Sequence, residues 1–195
     1  MAYELAIFDF DDTILHLDVD WPSVRKEMLS LAAKKRLDVE PDLHLAVMAN
    51  DLSKAGLKER IDSIFLEYES MCAKKRAYEV FPPMVSFIEE IGAAGIRLAI
   101  ASGNHTESIK AILTQLDLLE SFELICGRDL VQGNKPDPDQ LLYIMERLGV
   151  PKNKAIFAGD SRNDEAAASS AGILYVKVDP SDTSGGIERL RALLL

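Results

Sequence analysis

Short apolar runs that alternate with helix-like stretches constrain the fold of this chain more than any other feature. Each run is bounded by polar residues, as expected of a central strand in a sheet that is covered on both faces. The runs are LAIF (5–8), IRLAIA (96–101), FELIC (122–126), AIFA (155–158) and ILYVKV (173–178). Helical spacing occupies about residues 104–117, 138–148 and 163–171, and the stretch from Ile187 to the end. This order predicts right-handed βαβ units and a doubly wound parallel α/β core.

A segment with a different pattern interrupts the alternation at residues 16–81. It has no strand-like run, and its apolar residues recur at intervals of three and four, which is typical of helices. Gly56 lies between two of these patterns and is expected to separate two helices. We therefore predict a core formed by residues 1–15 and 82–195, with an all-helical unit inserted between its two parts.

The charge balance and the cysteines exclude several classes of protein. The 195 residues include 22 Lys and Arg against 32 Asp and Glu, a formal net charge of -10, whereas a nucleic-acid partner requires clustered basic residues. We find no run of about 18 apolar residues and no signal peptide, so we expect no membrane span and a cytoplasmic protein. Cys72 and Cys126 form no CxxC motif, and we expect both to be buried thiols.

Residues that carry chemistry cluster directly after the predicted strands. Ligands of open parallel α/β sheets bind at the carboxyl ends of the strands, so these residues are expected to meet in one crevice. They are Asp9, Asp11 and Thr13 after the first strand, Ser102, Gly103 and Asn104 after the second, Lys135 after the third, and Asp160 and Asp164 after the fourth.

The spacing of Asp9 and Asp11 predicts a metal site. Residues two apart in an extended segment point to the same side, and two adjacent carboxylates repel each other unless a cation neutralises them. Asp160 and Asp164 add oxygen ligands, and an all-oxygen site that retains water best suits Mg²⁺. No histidine is placed to favour zinc.

The same residues match the requirements of phosphoryl transfer. This reaction needs an in-line nucleophile, cations, and hydrogen-bond donors for the phosphoryl oxygens. Asp9 is the candidate nucleophile, and Lys135, Ser102 and backbone N–H groups are candidates for stabilising the phosphoryl group. Asp11 is the candidate acid that protonates the leaving alcohol and then the base that activates water.

Four short motifs follow one another along the core: DFDDT (9–13), SGN (102–104), KPDPD (135–139) and GDSRND (159–164). They resemble motifs one to four of the haloacid dehalogenase-like hydrolase superfamily, in particular its phosphoglycolate phosphatase-like branch. The resemblance implies a Rossmannoid core, a helical cap between motifs one and two, and a Mg²⁺-dependent phosphatase mechanism through a phosphoaspartyl intermediate. Four motifs in order are a far more specific signal than a single DxD.

Carried onto this chain, the resemblance makes Asp9 the nucleophile and Asp11 the acid and base. The phosphate-binding residues that it implies are Ser102, Gly103, Asn104, Lys135 and Thr13. The metal-binding residues that it implies are Asp9, Asp11 through its backbone carbonyl, Asp160 and, in a supporting position, Asp164. The expected substrate is a small phosphorylated metabolite, and the oligomeric state stays open.

Some residues fall outside this scheme. The commonest form of the first motif has Gly at the position of Asp12, whose side chain we expect to point away from Asp9 and Asp11. Asn104 has an alternative role as the cap of the following helix. The three histidines are interpreted as ordinary polar residues, because the mechanism leaves no task for a neutral imidazole. They are His16, His44 and His105.

Other functions share parts of the pattern. The nearest alternative is a phosphomutase of the same superfamily, similar to β-phosphoglucomutase, which would transfer the phosphoryl group to a second hydroxyl. A phosphorylation-dependent regulatory domain also gathers Asp, a hydroxyl and Lys around Mg²⁺, but its phosphoacceptor follows a later strand and it has no cap. A metal-free dehalogenase is disfavoured because that branch lacks the second aspartate, Asp11.

Overall fold

Seven strands and eight α-helices occupy residues 3–195, which are the residues described by the computed structural model; residues 1 and 2 of the predicted core lie outside them. The strands are β1 (Leu5–Phe8), β2 (Leu15–Leu17), β3 (Tyr78–Val80), β4 (Arg97–Ala101), β5 (Leu124–Cys126), β6 (Ala155–Gly159) and β7 (Leu174–Lys177). The helices are α1 (Trp21–Lys34), α2 (Leu45–Leu52), α3 (Lys58–Lys75), α4 (Pro82–Ala93), α5 (Thr106–Gln115), α6 (Asp139–Leu148), α7 (Arg162–Ala171) and α8 (Ser184–Leu194).

Five strands form one parallel sheet in the order β5-β4-β1-β6-β7, which confirms the predicted doubly wound α/β core. β1 is central, and Phe8 at its carboxyl end lies level with Ile100 of β4 and Ala158 of β6. Along the chain, β4 and then β5 are added on one side of β1, and β6 and then β7 are added on the other. The direction in which strands are added therefore reverses at β1, and ligands of such a sheet bind at the carboxyl ends of the strands beside this point.

Alternate residues of β1 enter two apolar cores, one on each face of the sheet. Ala6 and Phe8 join the core that contains residues of α4, α5 and α8, whereas Leu5 and Ile7 join the core that contains residues of α6 and α7. All four β1 residues are fully buried. Burial on both faces explains why the central strand is a continuous apolar run.

Helices α1, α2 and α3 lie within residues 16–81, the predicted cap, but the prediction of no strand there is wrong at both ends. β2 and β3 pair antiparallel and form a separate two-stranded ribbon. Each has only three residues, which is too short for a period of two to stand out in the sequence. We propose this ribbon as the junction between the core and the cap.

Three further predictions concern single features. Gly56 separates α2 and α3 as expected, with a φ of 86° in the left-handed region that glycine tolerates best. Cys72 and Cys126 are buried free thiols, also as expected. Among the helices of residues 3–195, none is long and apolar enough to cross a membrane.

Candidate active site

The first motif lies in the turn that follows β1, at the edge of the sheet where the central strand ends. The backbone N–H of Asp9 donates to the carbonyl of Ala158 at 2.8 Å, which extends the pairing with β6 by one residue. Phe10 is buried in the apolar core, whereas Asp9 and Asp11 both line a cavity. The two acids therefore share one side of the segment, in agreement with their spacing.

Lys135 joins the first and fourth motifs. Its Nζ lies 2.7 Å from Oδ1 of Asp9 and 2.6 Å from Oδ1 of Asp164, and the residue is almost completely buried. Burial alone would lower the pKa of Lys135, but the charges of Asp164 and Asp9 outweigh burial and raise this pKa above its usual value. Lys135 is therefore a fixed cation beside Asp9.

Asp164 is held by the start of α7 and has no exposure to the cavity. Its Oδ2 accepts hydrogen bonds from the backbone N–H and the hydroxyl of Ser161 at 2.9 and 2.6 Å. The backbone N–H of Asp164 donates in return to Ser161 Oγ, which completes a capping box. A Cβ at Gly159 would lie 2.7 Å from the Asp164 carboxylate, so only glycine fits there. Asp164 is therefore held in position to pair with the Lys135 ammonium group without itself lining the cavity.

The acidic cluster at this edge fits a divalent cation. Asp9, Asp160 and Asp164 each place one carboxylate oxygen within 4.8 Å of the others. Burial and the charges of Asp9 and Asp164 together raise the pKa of Asp160 to about 7. Burial also raises the pKa of Asp9, against the opposing charge of Lys135. A cation among these oxygens would relieve both effects, and hard oxygen donors are the ligands that Mg²⁺ prefers.

Asp11 is tied to the ribbon that leads into the cap. The backbone N–H of Leu17 in β2 donates to Asp11 Oδ1 at 2.7 Å. Burial raises the pKa of Asp11 to about 7, although the hydrogen bond from Leu17 opposes this shift. A carboxyl group with such a pKa can exchange protons near neutral pH, as a general acid and base must.

Asp12 adopts a left-handed backbone conformation with a φ of 58°, the region in which glycine is the least strained residue. Its Oδ1 lies 2.7 Å from Nδ1 of His16, and one of its carboxylate oxygens lies within 4.8 Å of one from Asp11. The prediction that Asp12 points away from Asp11 is therefore wrong. The prediction assumed that side chains alternate between two sides, as in an extended chain. The left-handed conformation at Asp12 interrupts this alternation.

The second motif follows β4 and lines the cavity with Ser102, Gly103 and Asn104. The hydroxyl of Ser102 donates to Asn104 Oδ1 at 2.8 Å, and the backbone N–H of Asn104 donates to Ser102 Oγ at 3.2 Å. The alternative role of Asn104 as a helix cap is not observed. His105 is the N-cap of α5, because its Nδ1 accepts from the backbone N–H of Glu107.

Thr13 is the one predicted phosphate-binding residue that lies away from the cavity. It is completely buried, and within residues 3–195 its Oγ1 has no hydrogen-bond partner. The backbone N–H of Ile14 donates to the carbonyl of Phe10 at 3.0 Å, which closes the turn around Thr13. The geometry gives the predicted contact between Thr13 and phosphate no support.

The cavity has a volume of about 630 Å³ and is lined by residues of the α/β core and of residues 16–81, the predicted cap. Its carboxylates all come from the first and fourth motifs, whereas the cap contributes apolar and basic side chains. The cap residues that line it are Trp21, Pro22, Arg25, His44, Leu45, Ala46 and Phe65. His44 was interpreted from the sequence as an ordinary polar residue, yet it lies in the wall of this cavity.

Sequence reasoning missed Arg128, a core residue that also lines the cavity. Its side chain is 2% exposed, its Nε donates to Asp62 Oδ1 at 3.0 Å, and its Nη1 donates to the carbonyl of Gly103 at 3.3 Å. The guanidinium stacks on the ring of Phe65 at 3.9 Å. The one available signal was an arginine two residues after an apolar strand, in LICGRDL (124–130).

Comparisons with known proteins show a family match along most of the chain. The profile of the family described as haloacid dehalogenase-like hydrolase matches residues 6–178. The chain is 34% identical over 171 residues to the phosphoglycolate phosphatase of Escherichia coli (strain K12), covering 88% of this chain and 68% of the relative. The same values describe its similarity to the phosphoglycolate phosphatase of Shigella sonnei (strain Ss046).

Solved structures share the fold at lower sequence identity. A HAD-superfamily hydrolase from Ehrlichia chaffeensis superposes with a TM-score of 0.66 at 18% identity, and the match covers 100% of both chains. CbbY from Rhodobacter sphaeroides, solved in complex with phosphate, superposes with a TM-score of 0.65 at 20% identity, over 90% of this chain and 86% of that one. At these identities the likeness concerns the fold alone.

Proposed function

Because the chain belongs to the haloacid dehalogenase-like hydrolase family, we propose that it is a Mg²⁺-dependent phosphatase acting on a small phosphorylated metabolite. The observation that carries the proposal is the setting of Asp9, a buried carboxylate in the wall of the cavity with Lys135 Nζ at 2.7 Å and Asp160 beside it. The similarity to phosphoglycolate phosphatases supports the reaction class. A cytoplasmic location is part of the same proposal.

Asp9 acts as the nucleophile in this proposal. Its carboxylate attacks phosphorus, and the bond to the leaving oxygen breaks while Asp11 donates a proton to the departing alcohol. Asp11 then takes a proton from water, which attacks the phosphoaspartate and regenerates Asp9 with release of phosphate. The raised pKa of Asp11 suits this exchange of one proton near neutral pH.

The phosphoryl group is held by the second and third motifs. Lys135 provides positive charge beside Asp9, and Ser102 with the backbone N–H groups of its loop provides hydrogen-bond donors. Asp9, Asp160 and the backbone carbonyl of Asp11 are the proposed ligands of Mg²⁺, with Asp164 in support. When bound, the ion supplies charge that reduces the repulsion between the Asp9 carboxylate and the phosphoryl oxygens.

The decisive test is the variant Asp9→Asn. We expect the unmodified protein to release inorganic phosphate from at least one member of a panel of phosphorylated metabolites with Mg²⁺ present. We expect no release from Asp9→Asn, because an amide is not a competent nucleophile. Asp18→Asn is the matched control, since Asp18 is exposed and does not line the cavity. Phosphatase activity retained in Asp9→Asn would contradict the proposal.

Product analysis distinguishes the phosphatase from the phosphomutase alternative. A phosphatase releases inorganic phosphate and the free alcohol, whereas a mutase returns an isomeric phosphate ester. Removing divalent cations with EDTA should abolish turnover, and added Mg²⁺ should restore it. Full activity in EDTA would contradict the role of the metal.

A further inference from the structure

We propose that Glu69 of the cap is a positioning residue that couples docking of α3 to the orientation of Ser102. The proposal rests on the proposed function, which assigns Ser102 to the phosphoryl group. Glu69 is completely buried and does not line the cavity, so it acts through other residues.

Both carboxylate oxygens of Glu69 contact the loop that follows Ser102. Oε1 accepts a hydrogen bond from Asn104 Nδ2 at 3.0 Å, and Oε2 accepts one from the backbone N–H of His105 at 2.8 Å. His105 is the N-cap of α5, so the carboxyl group also faces the positive end of a helix dipole. One cap side chain therefore holds both a side chain and a backbone group of the second motif.

The orientation of Asn104 transmits this contact to Ser102. A side-chain amide has one accepting oxygen and one donating nitrogen. Because Nδ2 of Asn104 donates to Glu69, its Oδ1 is turned toward Ser102, whose hydroxyl donates to it at 2.8 Å. Glu69 thus determines which end of the amide Ser102 meets, and with it the direction of the Ser102 hydroxyl.

The contacts of Glu69 belong to a continuous docking face of α3. Lys58, Asp62, Phe65 and Glu69 follow one another at intervals of four, three and four residues, which places them on one side of the helix. The first three contact Arg128. Lys58 Nζ donates to the Arg128 carbonyl at 2.8 Å, and Arg128 Nε donates to Asp62 Oδ1 at 3.0 Å. The guanidinium carbon lies 3.9 Å from the centre of the Phe65 ring. Any displacement of α3 that breaks this face also withdraws Glu69 from Asn104.

A double-mutant cycle tests whether Glu69 acts through Asn104. The cycle is measured above about pH 8, where Glu69 is a carboxylate that accepts on both oxygens. Glu69→Gln keeps the size of the side chain but presents an N–H donor to one of the two donors that face it. We expect kcat/KM for p-nitrophenyl phosphate to fall about tenfold or more, because small misplacements of a binding group are costly to turnover. In an Asn104→Ala background, the same change should cost less than about twofold, since the relay is already absent.

Phosphate binding provides a readout that does not depend on turnover. We expect Glu69→Gln to weaken the binding of inorganic phosphate, measured by titration calorimetry, while a single cooperative melting transition shows that the variant remains folded. Glu67→Gln is the matched control, because Glu67 is exposed on the same helix. If Glu69→Gln folds poorly, Glu69→Asp, which retains the carboxylate but shortens its reach, should show the same non-additivity.

Two results would overturn the coupling: losses that simply add in the cycle, or kinetics and phosphate binding in Glu69→Gln equal to those of Glu67→Gln. Failure of the proposed function is a separate result, in which the unmodified protein hydrolyses no phosphate ester. In that case, phosphate binding alone would decide the coupling between Glu69 and Ser102.

Discussion

The left-handed backbone at Asp12 limits which residues can occupy the first motif, whatever their chemistry. At a φ of 58°, glycine is unstrained, Asp is tolerated and a β-branched residue is not. We expect Asp12→Val to lower the free energy of unfolding by about 1–2 kcal/mol and Asp12→Gly to leave it nearly unchanged. Both variants lose the exposed contact between Asp12 and His16, so this loss cancels when their free energies of unfolding are compared. Urea unfolding of the metal-free proteins measures the difference.

A valine placed in ordinary extended backbone is the control for that comparison. Glu79 is exposed in β3, where a β-branched residue fits, so Glu79→Val should unfold at nearly the same urea concentration as the unmodified protein. Equal stability of Asp12→Val and Asp12→Gly would show that φ does not restrict the position.

Residue spacing was sufficient to place Asp9 and Asp11 but not their neighbours. Two acids separated by one apolar residue at the end of a strand indicate a shared side, and the cavity contains both. Asp12 and Thr13 follow in a turn, where side-chain direction depends on φ and on turn hydrogen bonds. Neither property can be derived from the alternation of an extended chain, so the predicted direction of Asp12 was wrong, while the phosphate contact of Thr13 stays a prediction.

At the scale of elements, the sequence predicts features that lie within a single strand or helix, but not contacts between distant elements. The five strands of the sheet were predictable because each is a largely apolar run, which is buried throughout in β1 and β6 and half-buried in the edge strand β7. Glu69 and Arg128 were not, because their partners Asn104 and Asp62 lie 35 and 66 residues away. Helical spacing shows which residues share a face of α3, but it does not show which loop that face meets.

The burial of Glu69 in the docking face of α3 has a consequence for stability. Burial raises the pKa of Glu69 from its usual value of 4.5 to about 8, although bonds from His105 and Asn104 and the charge of Arg128 oppose the shift. Between these values the folded chain keeps a proton that the unfolded chain has lost. The contribution of Glu69 to the free energy of unfolding should therefore fall as pH rises from about 4.5 to 8, by at most about 1.4 kcal/mol per unit.

Glutamine does not titrate, so Glu69→Gln should lack this contribution to the pH dependence of the free energy of unfolding. We expect the stability of the unmodified protein, relative to Glu69→Gln, to decrease between about pH 5 and 8 and to level off above that range. Urea unfolding in EDTA measures both proteins, and the contributions of Asp9, Asp11 and Asp160 cancel in the difference. Glu67→Gln should show no such trend, and a pH-independent difference for Glu69→Gln would contradict the prediction.

At the scale of the whole molecule, charge is distributed unevenly around the cavity between core and cap. The core supplies all the carboxylates, including Asp9 and Asp160, together with the cations Lys135 and Arg128, whereas the cap supplies Arg25 and His44. One lysine, Lys135, offsets only part of the negative charge at the acidic end, so a phosphate ester there requires a bound cation as well. The net charge of -10 makes this local compensation more important, because the surrounding protein does not provide it.

Mg²⁺ should therefore stabilise the folded chain, and Asp160 should determine how much. A ligand that binds only the folded state adds about 2.7 kcal/mol at 100 times its Kd, so the melting temperature of the unmodified protein should rise with Mg²⁺. Asp160→Asn removes a carboxylate whose pKa burial raises to about 7, so this variant should melt no lower in EDTA but gain much less from Mg²⁺. Asp51→Asn, at an exposed position of α2, should respond like the unmodified protein. An equal gain in Asp160→Asn would show that the ion binds elsewhere.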